Sequence, residues 1–181
     1  MADLASTTDP AVNPHADEGA ERYLRRRRIS SNAFVLVTAA VFVLGLVNVP
    51  GVRSSTTTAS AGDQTLTVRH GTVARAGLAT PLEITVTRPG GFGDAPVTIG
   101  ITQEYLALFD SNAMDPEPSS ATTMGDWLLW EFDPPIGDTL TVNLDVRIEP
   151  ARQIGDRGRI AVFDEQHQPI VEVGVRTRLF P

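Results

Sequence analysis

One segment of the chain, Thr139–Glu149, alternates apolar and polar side chains without a break. Five aliphatic residues take every second position, and every residue between them is polar or charged. Successive side chains of a β-strand point to opposite faces, so the pattern predicts a strand with one buried and one solvated face. The segment therefore indicates that this part of the chain is built from β-strands.

Six further segments favour strands, four of them short. They are predicted over Leu82–Thr87, Val97–Thr102, Thr65–Arg69, Trp127–Phe132, Gly158–Phe163 and Ile170–Arg178. Turn-forming residues such as Pro89-Gly90-Gly91 separate them, and Glu104–Phe109 has room for one helical turn at most. About seven strands in the last ~119 residues predict an all-β fold, an antiparallel β-sandwich. A domain of that size buries enough surface to fold without disulfides, which a chain lacking cysteine requires.

The order of these segments carries a resemblance. A strand at Pro81–Arg88 is followed by the Val97–Ile101 strand, then by Trp130-Glu131-Phe132, and finally by a Gly-Asp-Thr turn into the long alternating strand. The arrangement resembles the bacterial immunoglobulin-like modules of cell-surface and envelope proteins, without the cysteine pair of antibody domains. The resemblance implies an antiparallel immunoglobulin-like β-sandwich and a role in adhesion, scaffolding or assembly.

An uncharged stretch of 24 residues, Ile29–Val52, precedes this region. As a helix it spans about 36 Å, which exceeds the ~30 Å hydrocarbon core of a bilayer, so we predict one transmembrane helix. Immediately before it stand Arg25, Arg26, Arg27 and Arg28. Positive charge stays on the cytoplasmic side, so the N-terminus is predicted to be cytoplasmic and the C-terminal part extracytoplasmic.

Four regions follow from these patterns. Residues 1–28 are predicted to be a cytoplasmic disordered tail with an arginine cluster, 29–52 a signal-anchor helix, 53–62 a Ser/Thr-rich linker, and 63–181 the extracytoplasmic domain. An alternative stays open, because Ala59-Ser60-Ala61 has the small-x-small form of a signal-peptidase site. Cleavage after Ala61 would make the protein a secreted envelope component.

The exported region contains few candidate catalytic residues. All 15 basic residues are arginine, so lysine nucleophiles and Schiff bases are excluded, and cysteine chemistry is absent as well. His70 and His167 fall at predicted edge and turn positions, and no Gly-x-Ser-x-Gly elbow accompanies them. We interpret both histidines as solvated and predict that the protein is not an enzyme.

One alternative is that the exported region binds calcium. Asp110–Glu117 gathers oxygen ligands of the kind calcium prefers, but Asp115 and Ala121 occupy the places where an EF-hand loop needs glycine and glutamate. The glycines of Gly90–Gly93 lack the lysine and the helix of a phosphate loop. No cofactor is predicted. Residues 53–181 are acidic and carry the whole net charge of −7, which predicts no binding to nucleic acid.

The region from Ser111 to Trp130 contains the best candidate site. Ser111–Asp126 is predicted to be an irregular loop, which is long for a compact domain. If Leu128, Trp130 and Phe132 face the core, Trp127 and Leu129 face outward and form a candidate partner contact. The alternative is that the loop covers this strand, or that both of its faces are buried.

Taken together, the sequence predicts a single-pass protein of a bacterial cell membrane that carries a non-catalytic sandwich outside the cell. Its predicted work is contact with a membrane or envelope protein, as an accessory or assembly subunit. The other partner is the lipid bilayer. The alternative function is an extracytoplasmic ligand- or calcium-binding module.

Overall fold

The computed structural model describes residues 33–43 and 53–180, which belong to two separate units of the chain. Residues 33–43 form a helix, α1, with mostly exposed apolar side chains. No helix among the described residues is long and apolar enough to cross a membrane. The tail at residues 1–28, including the Arg25–Arg28 cluster, and both ends of the predicted transmembrane segment lie outside the described residues, so these remain predictions.

The second unit consists of ten strands and one short helix. They are β1 (Arg53–Ala61), β2 (Gln64–Ala74), β3 (Ala79–Thr87), β4 (Val97–Thr102), α2 (Gln103–Leu106), β5 (Phe109–Asp115), β6 (Ser120–Met124), β7 (Trp127–Phe132), β8 (Thr139–Ile148), β9 (Asp156–Phe163) and β10 (Pro169–Leu179). All seven predicted strands are present, and α2 is the single helical turn that the sequence allowed.

The strands form two five-stranded sheets that share one core. Sheet 1 has the order β5-β8-β3-β2-β1, and sheet 2 has the order β10-β9-β4-β7-β6. Neighbours within each sheet are antiparallel. The sheets join where β2 and β10 pair in parallel over Val73–Ala74 and Arg178–Leu179. This architecture confirms the predicted all-β sandwich class.

The core lies between the two sheets and is built by the alternation seen in the sequence. Along β8 exposed and buried residues alternate at every position, with Val142 and Ile148 completely buried. They pack in one cluster with Ile99, Ile160 and Val173 of sheet 2. Burial of such side chains stabilises each by about 1.5–3 kcal/mol relative to exposure, which holds the sheets face to face.

Two of the predicted irregular segments are strands instead. The linker prediction for 53–62 is wrong, because β1 pairs with β2 along its whole length, and Thr58–Thr67 and Ser60–Thr65 hydroxyl pairs lie 3.1 and 2.9 Å apart. The loop prediction for Ser111–Asp126 is also wrong, because β5 and β6 occupy most of it. These are polar edge strands held by backbone pairing, so they lack the apolar alternation that identifies a half-buried strand.

Candidate functional site

Strand β7 divides its side chains between the two faces of sheet 2 as predicted. Trp130 and Phe132 are buried in the main core, and Leu128 packs against it. Trp127 and Leu129 belong to a second, smaller cluster on the outer face. The predicted assignment of faces is therefore confirmed.

The outer cluster is a packed layer on sheet 2. Leu129 and Phe163 are 3% and 5% exposed, and they surround Gly100 of the central strand β4. A Cβ atom on Gly100 would lie 2.4 Å from Cε2 of Phe163 and 2.9 Å from Cδ2 of Leu129. Because Gly100 has no side chain, the side chains of Leu129 and Phe163 can pack directly against the backbone of β4. Leu129 is a buried support and not the solvent-facing contact that the sequence predicted.

Trp127 stands at the edge of this cluster and remains partly exposed. Its ring meets that of Phe163 edge to face, with centroids 5.2 Å apart. The guanidinium carbon of Arg159 lies 4.8 Å from the centroid of the Trp127 ring, and Arg159 also approaches Asp126 and Glu172 at 3.4 and 3.6 Å. Edge-to-face and cation–π contacts each contribute about 0.5–1.5 kcal/mol, so the indole is fixed in place while part of it stays accessible.

Further arginines lie on this outer face, and they were not predicted from the sequence as part of a site. Arg157 and Arg159 alternate with inward-facing residues of β9, and Arg176 and Arg178 do the same on β10. Arg157 pairs directly with Arg176 across the two strands. The positive charge of Arg157, and then that of Arg178, lowers the pKa of Arg176. Period-two spacing of arginine on two strands was the signal available in the sequence.

The two histidines of the sandwich lie on different elements. His167 is exposed in the turn between β9 and β10, where its φ is +56°. His70 is only 4% exposed on β2, so the prediction that it is solvated is wrong. Burial lowers the pKa of His70, and its Nδ1 atom has no hydrogen-bond partner within the described part of the chain. The predicted strand ended at Arg69, whereas β2 continues and places His70 on the same inward face as Leu66 and Val68. This continuation of the strand buries the histidine.

The calcium candidate, Asp110–Glu117, is placed along β5 and just after it. Asp110 accepts a hydrogen bond of 2.8 Å from Nε of Arg147 on β8, so an arginine already occupies that carboxylate. Among residues 33–43 and 53–180, no group of three or more His, Asp or Glu side chains is arranged to hold a metal ion. The structure therefore gives this alternative no supporting geometry.

Comparisons with known proteins assign this chain to no family. No protein-family model matches the chain, and no curated protein matches it. A solved structure with some similarity is the sixth cohesin from scaffoldin B of Acetivibrio cellulolyticus, in complex with a Cel5 dockerin. It is 14% identical, and the match covers 60% of this chain and 92% of that one with a TM-score of 0.27.

Proposed function

We propose that this chain is a single-pass, membrane-anchored, non-catalytic immunoglobulin-like sandwich that contacts another protein. In this proposal it serves as an accessory or assembly subunit of a bacterial membrane or envelope complex. The observation that carries the proposal is the outer cluster of sheet 2, in which a partly exposed Trp127 rests on Phe163 and Leu129. A tryptophan that is held by packed neighbours and exposed to solvent on one side is typical of the residues that dominate binding at protein interfaces.

The chemistry of this face supports binding over catalysis. Its side chains are an indole, a phenyl ring, aliphatic groups, guanidinium groups, and the carboxylates of Asp126 and Glu172, both of which Arg159 pairs with. Guanidinium groups do not lose protons in the working range of an enzyme, and the indole, phenyl and aliphatic groups do not titrate. Arginine and tryptophan are also enriched at protein interfaces relative to the rest of a protein surface.

The anchor is supported by the uncharged segment Ile29–Val52 and by the arginines before it. Cleavage after Ala61 would remove all of β1 and expose the edge of β2, which β1 covers from Arg53 to Ala61. An uncovered strand edge invites pairing with other chains. We therefore expect N-terminal sequencing of the membrane-extracted protein to show the uncleaved start, whereas a mature N-terminus at Gly62 would contradict the anchor.

The contact itself is tested by Trp127→Ala in the full chain extracted in mild detergent. We expect the wild type to co-purify with a discrete partner and the variant to lose it, because truncating a central interface tryptophan weakens binding by about 30-fold or more. Quantitative mass spectrometry of the eluates measures this loss.

The matched control is Ile136→Ala, which removes an apolar side chain that is fully exposed in another part of the sandwich. Ile136→Ala should retain the partner, and Trp127→Phe should retain part of it because an aromatic ring still covers Phe163. Recovery of the same partner with Trp127→Ala, or of a partnerless monomer from the wild type, would contradict the proposal.

A further inference from the structure

A concavity of about 570 Å³ opens where β9 begins and β10 ends. Three arginines line it, Arg157, Arg176 and Arg178, together with the exposed Ile154. Its remaining lining comes from the 153–156 segment, from Glu104 of α2, and from Thr177 and Leu179. The concavity therefore combines three positive side chains with two carboxylates, Glu104 and Asp156, and two aliphatic side chains, Ile154 and Leu179.

The arginines are held close together by strand pairing. Arg157 and Arg176 are directly opposite on antiparallel strands, which places Cβ atoms about 4.5–5.5 Å apart. Arg178 lies two residues further along β10, on the same face. Like charges in opposite positions destabilise a sheet, so the sandwich gains no stability from this arrangement.

None of the three guanidinium groups forms an ion pair or a side-chain hydrogen bond within the described part of the chain. Three other arginines of the sandwich are in ion pairs: Arg88 with Asp63 at 2.8 Å, Arg147 with Asp110, and Arg159 with Asp126 and Glu172. The carboxylates of Glu104 and Asp156 also line the concavity, but neither forms an ion pair with these arginines, and Asp156 accepts the backbone N–H of Arg157 at 2.7 Å. A sandwich of 17 acids and 10 arginines thus places three unpaired arginines next to one another on one face.

The outer face of sheet 2 that carries Arg157 and Arg176 also carries the Trp127 cluster. Arg159 follows Arg157 on the outer face of β9 and stacks on the Trp127 ring. Same-face residues of an extended strand repeat every ~7 Å, which is also the spacing of Arg157 from Arg159 and of Arg176 from Arg178. An extended peptide with carboxylates at alternate positions matches this repeat.

We propose that the row formed by Arg157, Arg176 and Arg178 binds an acidic, extended segment of a partner protein, beside the Trp127 contact. The inference rests on the proposed function and adds the chemistry of the partner. Guanidinium groups recognise carboxylates through two parallel hydrogen bonds, and unpaired guanidinium groups can offer this fork without first breaking an existing ion pair. Electrostatic complementarity of this kind sets specificity and association rate.

The test measures binding of a fluorescein-labelled octapeptide of alternating aspartate and valine to the full chain in neutral-lipid nanodiscs. Fluorescence anisotropy should show saturable binding that weakens as salt rises, and the peptide with asparagine in place of aspartate should not bind. The double variant Arg157→Gln/Arg176→Gln should weaken binding by about fivefold or more. The control Arg53→Gln/Arg69→Gln, which removes two exposed arginines from sheet 1, should leave binding unchanged.

Folding is checked by the melting temperature, which should not fall in the Arg157→Gln/Arg176→Gln variant because like-charge repulsion is relieved. Equal loss of binding in both double variants would mean that only net charge matters and would overturn the proposal. The proposal would also be overturned if the peptide does not bind while phosphatidylglycerol vesicles bind in an arginine-dependent way. That result would show that the three arginines bind lipid. If the arginine variant still captures a Trp127-dependent partner at full strength, this inference fails while the proposed function stands.

Discussion

Gly158→Ala is expected to destabilise the sandwich strongly, whereas Gly174→Ala on the neighbouring strand is expected to be harmless. A Cβ atom on Gly158 would lie 2.2 Å from Cβ of Tyr105, 2.5 Å from its Cγ, and 2.6 Å from Oγ1 of Thr102. Tyr105 is completely buried on α2, so it has no free space to move into. Overpacking of this kind costs about 3 kcal/mol when neither partner can shift.

Gly174 provides the control because it lies on β10 of the same sheet, in extended backbone, with no atom within 4 Å of an added Cβ. Alanine there should leave the free energy of unfolding unchanged or raise it by about 0.5 kcal/mol, since alanine reduces the freedom of the unfolded chain. Urea denaturation of the two variants gives the comparison. Both tryptophans of the chain, Trp127 and Trp130, lie on β7, so their fluorescence reports the sandwich alone. Similar midpoints for the two variants would contradict the packing of α2 against β9.

The strands that could be predicted from the sequence are those whose burial leaves a pattern. β8, β3 and β4 alternate apolar and polar residues, and the structure places the apolar ones in the core. β1, β5 and β6 carry mostly serine, threonine, aspartate and small residues with little burial. Their strand state depends on backbone pairing with a neighbour, which no local residue pattern encodes.

Only those features of the candidate site that depend on a single strand could be predicted from the sequence. Alternation along β7 gives the faces of Trp127 and Leu129, but the burial of Leu129 depends on Phe163 lying across Gly100, and these residues belong to β9 and β4. The arginine row depends likewise on the register that sets Arg157 opposite Arg176. Contacts between strands distant in sequence decide both features.

The sandwich is also expected to lose stability between pH 10 and pH 12 because of Tyr105. Burial raises the pKa of its phenol to about 12, while the hydroxyl stays 2.9 Å from Oγ1 of Thr177, which itself donates to the carbonyl of Gly71 at 2.6 Å. In the unfolded chain a tyrosine has a pKa of about 10. The unfolded state therefore loses its proton first as pH rises, and stability that is complete below pH 10 declines until about pH 12.

The expected loss is about 2–3 kcal/mol across this window, from ~1.4 kcal/mol for each unit of pKa difference. The slope can be assigned to one residue because the chain has no lysine and no cysteine, and its only other tyrosine is Tyr23. Urea midpoints measured from pH 8 to pH 12 should fall for the wild type and for Tyr23→Phe but stay level for Tyr105→Phe. A Tyr105→Phe protein that loses stability as steeply as the wild type would show that the phenol is not held in this buried hydrogen-bonded position, because then another group would carry the alkaline transition.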